Sequence, residues 1–342
     1  MVTAISYDPR QNLNVRNDHH QQNGVVVLEE IEGLIKFYNN GHIERPQIVP
    51  TVPPYSLPQE LGVTAKDVIL HNPTNLWSRI YLPNTLIPAK KLPLLVYFHG
   101  GGFCVGSAAW KCYHDFLANL TSKIGCVIMS VNYRLAPENR LPAAYDDGVH
   151  AITWLKNQAL ANSKEHNWWS SKCSFSNLFL SGDSAGANIA YHVATRLNSY
   201  NLKPLSLKGL ILIQPFFGGE SRIHSEKYSV QPPYSALNLP ASDTYWRLAL
   251  PVASNRDHPW CKPRLSYNIR LPSTLVCISE TDLLKDRNLE LCSALADAGI
   301  KVEKQVYKGV GHAFQILHNS PLSQPRTHDM TSHLKNFIHD HY

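Results

Sequence analysis

FLSGDSAGANI, residues 179–189, is the stretch on which the reading of this chain turns. The apolar run Leu178-Phe179-Leu180 reads as a short buried strand, and residues 185–196 carry the Ala-rich, weakly amphipathic pattern of a helix. Gly182-Asp183-Ser184-Ala185-Gly186 is the joint between them, a G-x-S-x-G pattern. Such a joint sets its serine on a sharp strand-to-helix turn, with glycines where a side chain would strike neighbouring backbone. The serine hydroxyl is then exposed beside a helix N-terminus, where backbone N–H groups favour a developing negative charge. Glycine and serine are common, so the motif takes its meaning from the rest of the chain.

Upstream, residues 92–98 form a nearly continuous apolar run of the kind buried on both faces of a parallel sheet. His99-Gly100-Gly101-Gly102-Phe103 follows at once. Three successive glycines let the backbone turn so that the N–H groups of Gly101 and Gly102 point into a cavity. With the N–H of Ala185, they make a candidate oxyanion hole. A phosphate cradle is the competing reading, but no G-x-x-x-x-G-K-[ST] pattern is present.

A serine hydroxyl is a weak nucleophile until a base takes its proton, and an acid must hold that base in the right tautomer. After a G-x-S-x-G serine, both follow in the order acid, then histidine. Asp282, just beyond a late strand pattern, is the candidate acid, with Glu280 and Asp286 as rivals nearby. His312, in the glycine-bounded loop Gly309-Val310-Gly311-His312-Ala313-Phe314 after a strand pattern at 302–307, is the candidate base.

Around these motifs, strand and helix patterns alternate. Strands are expected at 68–70, 78–82, 127–131, 210–213 and 274–278, and helices at 110–124, 145–160, 288–298 and 330–338. That order predicts an α/β chain with a mainly parallel central sheet covered by helices on both faces. Residues 25–37 suggest an amphipathic helix or a helix plus strand, Asn39-Asn40-Gly41 a hairpin-like turn, and the proline-rich 46–58 an extended surface strap. Residues 216–257, rich in Ser, Pro, Tyr and Trp, break the rhythm and are too long for an ordinary connection, which makes them a lid candidate. Residues 1–24 read as a disordered tail without the features of a secretory signal, leaving 25–342 as one domain.

Composition narrows the function class. The 342 residues are 44% hydrophobic, enough to bury a core, and carry a formal net charge of +6 from 32 Lys and Arg against 26 Asp and Glu. The basic residues are scattered rather than gathered in a stripe, which argues against nucleic acid as a partner. No run approaches the roughly 18 apolar residues of a membrane span. Seven cysteines, without a C-x-x-C pair and several in apolar runs, read as reduced core residues of a cytoplasmic protein. No cofactor or metal motif is expected.

HGGGF, GDSAGAN, Asn132-Tyr133-Arg134-Leu135-Ala136-Pro137-Glu138, LPAAYDD at 141–147 and GHAF at 311–314 resemble the plant carboxylesterases of the hormone-sensitive-lipase group, over essentially everything from residue 27 onward. The resemblance implies an α/β-hydrolase fold with a cap built from about 25–60 and 216–258, and Ser184, Asp282 and His312 as a catalytic triad. It also implies hydrolysis of short or medium acyl esters of small, specialised plant metabolites. Gibberellin receptors of this group lack the catalytic histidine, which His312 supplies here. The related hydroxyisoflavanone dehydratases keep elimination or cyclisation as the alternative. Arg134, Glu138, Asp146 and Asp147 are expected to brace loops, Asp183 to orient its neighbours, and Asn188 to support packing. Phe216, Phe217, Tyr245 and Trp246 are the candidates for an apolar substrate pocket.

Overall fold

The computed structural model describes residues 24–84, 90–161, 164–231, 235–264 and 269–342. The tail expected at 1–23 lies outside them. In chain order the elements are β1 (Val27–Ile31), β2 (Ile35–Tyr38), β3 (Ile43–Glu44), β4 (Val63–His71), β5 (Leu76–Pro83), β6 (Leu92–Phe98), α1 (Lys111–Ile124), β7 (Val127–Asn132), α2 (Ala143–Leu160), α3 (Asn167–Ser170), β8 (Cys173–Asp183) and α4 (Ala185–Arg196). There follow β9 (Leu207–Ile213), α5 (His224–Tyr228), α6 (Leu239–Ala249), β10 (Ser273–Ser279), α7 (Lys285–Asp297), β11 (Val302–Tyr307), α8 (Phe314–Leu317) and α9 (Ser323–Asp340).

Eight strands form one sheet in the order β11-β10-β9-β8-β6-β7-β5-β4. Pairing is parallel from β7 through β6, β8, β9 and β10 to β11, whereas β5 is antiparallel to β7 and to β4. Alternation along β6 shows why the run 92–98 is apolar throughout. Leu94, Val96 and Phe98 enter the core beneath α2, α4 and α7, while Leu95 and Tyr97 enter the opposite core beneath α1 and α9. All parallel strands end on one edge, and the loops leaving β6, β8, β10 and β11 there carry the candidate site, as expected of an open α/β sheet.

The helix suggested at 25–37 is instead a hairpin, β1 pairing antiparallel with β2 across Glu32-Gly33-Leu34. Gly33 sits at φ +69°, a left-handed conformation that ends any helix and favours glycine. The turn at 39–41 is present and leads β2 into β3. This small sheet packs on α6, where Arg247 and Glu29 form a two-pronged ion pair at 2.6 and 2.7 Å. The strap at 46–58 runs along the start of α1 and is pinned there. Buried Arg79 donates to the Val52 carbonyl at 2.9 Å while two further nitrogens hold Asp67.

The seven cysteines are all free, and six are buried. Among the described residues no helix is long and apolar enough to cross a membrane.

Candidate active site

β8 ends at Asp183 and α4 begins at Ala185, leaving Ser184 alone in the turn at φ +52°, ψ −120°. A non-glycine residue there is strained by about 1–3 kcal/mol, and flanking backbone holds it. The Ser184 N–H donates to the Ile213 carbonyl at 2.8 Å, and the Phe216 N–H donates to the Ser184 carbonyl at 3.0 Å. The two motif glycines answer to space. A Cβ on Gly182 would lie 2.4 Å from the Gly186 carbonyl oxygen, and one on Gly186 would lie 1.9 Å from that of Phe98. The turn can therefore close only on bare backbone.

Ser184 makes no side-chain cap to its helix. Its Oγ stands 2.8 Å from His312 Nε2, and His312 Nδ1 stands 2.7 Å from Asp282 Oδ2. Asp282 is completely buried, His312 is 4% exposed and Ser184 7%, so the row opens outward at its serine end. An ionised Asp282 can only accept, which puts the imidazole proton on Nδ1 and leaves Nε2 to receive the serine proton. Burial is the largest influence on His312 and pulls its pKa down. The Asp282 charge and hydrogen bond, with a contribution from Asp183, outweigh it and leave the pKa above 6.5. The rival acids are engaged elsewhere: Glu280 accepts the Gly309 N–H at 2.9 Å, and Asp286 accepts the Ser225 N–H at 2.7 Å.

The glycine loop leaves β6 beside this turn. Gly101 and Gly102 have φ of +112° and +58°, and Cβ atoms there would lie 2.1 Å from the Val105 carbonyl oxygen and 2.2 Å from the Tyr245 ring. Among the described residues neither N–H meets a backbone acceptor. Ala185 is the first residue of α4, and a first helical N–H has no partner within its helix.

One contributor escaped the sequence reading. Gln214, buried and at φ +46°, follows β9 directly. Its Oε1 accepts the Ala313 N–H at 2.7 Å and its Nε2 donates to Ser279 Oγ at 2.8 Å, which ties the histidine loop to the ends of β9 and β10. Ala313 is itself left-handed at φ +57°, so the loop takes an unfavourable turn that Gln214 holds in place. The bracing groups pair as follows: Arg134 with Asp147 at 2.8 Å, Arg196 with Asp146 at 2.6 Å, and Glu138 with Arg45 of the N-terminal segment at 2.6 Å. The side-chain nitrogen of Asn188 donates to the carbonyls of Phe216 and Trp260, at 3.0 and 2.9 Å.

A cavity of about 1190 Å³ opens on Ser184 and His312. Of the four aromatic residues expected to line it, Phe216 and Tyr245 do. Phe217 and Trp246 do not. Trp246 is fully buried behind Phe216, stacked on it at 4.7 Å, and Phe217 points the other way, edge-on to Tyr191 at 5.5 Å. Tyr245 and Trp246 are neighbours on α6, about 100° apart around its axis, so one faces the cavity and the other the core. Leu34, Ile48 and Val49 supply apolar lining from the N-terminal segment, and Asn119, Lys123 and His328 supply polar lining from α1 and α9.

The chain is similar in sequence and fold to known proteins. The family described as having the alpha/beta hydrolase fold matches residues 95–316. "Probable carboxylesterase 6" of Arabidopsis thaliana is 50% identical over 99% of this chain and 98% of its own length. "3-O-acetylpapaveroxine carboxylesterase CXE1" of Papaver somniferum is 38% identical over 74% of this chain and 82% of its own, and "2-hydroxyisoflavanone dehydratase" of Glycyrrhiza echinata 33% over 85% and 91%. Among solved structures, a hyperthermophilic esterase of the archaeon Pyrobaculum calidifontis superposes with a TM-score of 0.67 at 26% identity, over 80% of this chain and 82% of its own.

Proposed function

The chain belongs to the alpha/beta hydrolase family, and from that premise we propose that it is a serine carboxylesterase working through an acyl-enzyme. The unbroken row of hydrogen bonds Ser184–His312–Asp282, at 2.8 and 2.7 Å, carries the proposal. His312 takes the Ser184 proton as Oγ attacks the ester carbonyl carbon. Negative charge on the tetrahedral oxygen is received by the N–H groups of Gly101, Gly102 and Ala185, donors worth roughly 3 kcal/mol each in comparable sites. The imidazolium, stabilised by Asp282, protonates the leaving alcohol, and a water activated by the same histidine releases the acid.

The substrate is a small-molecule ester. The apolar lining from the N-terminal segment and the polar lining between α1 and α9 suit an ester of mixed character, and the N-terminal sheet with the 216–258 segment acts as a cap on a single α/β-hydrolase domain. Free cysteines support a cytosolic location within the same proposal.

Purified protein is expected to hydrolyse p-nitrophenyl butyrate and to form a covalent fluorophosphonate adduct whose tryptic peptide maps to Ser184. Absence of both would sink the proposal. Its pH profile follows from His312. Only the neutral imidazole accepts a proton, so a raised pKa moves the acidic limb of kcat/KM upward, and activity should fall as pH drops through a midpoint above 6.5. A limb centred below 6 would show that the Asp282 charge does not govern the base.

The dehydratase relative favours one second reading, elimination or cyclisation on the same site. Product mass spectrometry separates the two: hydrolysis adds the elements of water and splits off an acyl group, whereas elimination loses water and cyclisation leaves the mass unchanged.

A further inference from the structure

The glycine loop is held from behind by hydroxyls. Tyr133 donates to the His99 carbonyl at 2.8 Å. The Gly100 N–H donates to the Tyr113 hydroxyl at 2.8 Å, and that hydroxyl donates in turn to Asp183 Oδ2 at 3.0 Å. The other carboxylate oxygen, Oδ1, accepts from Tyr97 at 2.8 Å. Asp183 precedes the nucleophile in the chain, and Gly100 precedes the oxyanion donors. One line of hydrogen bonds therefore joins the serine turn to the loop that must receive the charge the serine creates.

Two further observations bear on this line. A Cβ on Gly100 would stand 2.6 Å from Asp183 Oδ2 and 2.9 Å from the Tyr113 oxygen, so the first glycine of the motif is fitted to this contact rather than to a left-handed turn. Asp183 is 1% exposed yet holds no member of the triad, since Asp282 occupies His312. A carboxylate buried this completely is retained at a cost in solvation that its hydrogen bonds and its charge, which also acts on His312, must offset.

We infer that Asp183 and Tyr113 are positioning residues for the oxyanion hole: the carboxylate fixes the direction of the Tyr113 hydroxyl, whose lone pair then anchors Gly100 and sets Gly101 and Gly102 against Ser184. The inference rests on the oxyanion-hole reading proposed above. Polarity is essential to it. A hydroxyl has one proton, and only an acceptor at Asp183 draws that proton away from Gly100 and leaves a lone pair facing the amide. Burial pushes Asp183 up to about 6 against the hydrogen bonds of Tyr97 and Tyr113, so the acceptor form prevails at neutral pH.

Tyr113→Phe keeps the ring and removes the hydroxyl that the Gly100 N–H meets at 2.8 Å, leaving that amide only its interaction with the Asp183 carboxylate. Its kcat for p-nitrophenyl butyrate, per fluorophosphonate-titrated site, should fall about 10- to 100-fold with KM within about threefold, because the loss is felt as charge develops. Asp183→Asn can offer an N–H to the hydroxyl and so turn it the wrong way, and should lose as much despite its matched shape. Hydrogen–deuterium exchange of the peptide covering residues 99–103 should be at least about tenfold faster in Tyr113→Phe, with peptides of α9 unchanged. Unaltered exchange in that loop, or a kcat within twofold of wild type, would overturn the inference. Exchange needs no ester turnover, so an inactive wild type would count against the esterase reading alone while the loop measurement still decides this one.

Discussion

Ser184→Ala is expected to lower kcat for p-nitrophenyl esters by roughly 10⁴- to 10⁶-fold, the loss seen when a triad serine is removed and binding with the oxyanion hole is left behind. The folded state should barely notice. The hydroxyl caps no helix, and among the described residues it bonds His312 alone, at 2.8 Å and worth about 1 kcal/mol, so Tm should move by no more than about 4 °C. The same variant divides the two chemistries. In hydrolysis through an acyl-enzyme, Oγ forms the covalent bond and nothing nearby replaces it. In an elimination, the base is His312 and the charge is held by backbone N–H groups, all retained in the variant, so turnover of such a substrate would persist. An alanine protein that still releases p-nitrophenol at more than a hundredth of the wild-type rate would remove Ser184 from the mechanism.

Most of this site could be read from sequence because its parts are local. G-x-S-x-G and HGGG are short-range requirements of backbone geometry, and the order of acid and histidine follows from the order of parallel strands, so each leaves a trace in consecutive residues. What escaped depends on distant partners. Gln214 acts on Ala313, 99 residues further on, and glutamine has no motif that announces such a role. Nothing in the sequence of the helix expected at 110–124 marks Tyr113, whose hydroxyl lies between Gly100 and Asp183 only once the strands are assembled. The hairpin at 27–38 reads in sequence as a helix or a helix plus strand because Val27, Ile31, Leu34 and Ile35 also fit a helical spacing. Gly33, at φ +69° between the two strands, was the signal to weigh. The four aromatic residues of the cap divide, Phe216 and Tyr245 lining the cavity and Phe217 and Trp246 not, for a related reason: composition marks 216–258 as apolar, but which ring faces the cavity depends on how α6 is rotated against Phe216.

Gly186→Ala should be the most damaging single-methyl change in the chain. Alanine in place of glycine inside a helix ordinarily stabilises by up to about 1 kcal/mol, and Gly186 lies on α4 with no left-handed φ to forbid it. Space reverses the sign. The added carbon would stand 1.9 Å from the Phe98 carbonyl oxygen, 2.5 Å from its carbon and 2.6 Å from the His99 carbonyl oxygen. These are backbone atoms at the end of β6, so no side-chain rotation relieves them. Either α4 lifts from the sheet or the strand end retreats and carries Gly101 and Gly102 with it. We expect a loss above about 4 kcal/mol in urea unfolding, in the range reserved for core overpacking and broken backbone geometry, and turnover below detection in whatever folds. Gly125→Ala is the matched control, since Gly125 is left-handed at φ +74° with nothing within 4 Å of a new Cβ. That change should cost only the conformational strain, about 1–2 kcal/mol, and leave kcat intact. If the two variants unfold at the same urea concentration, the close approach of β6 to α4 is not what fixes the serine turn.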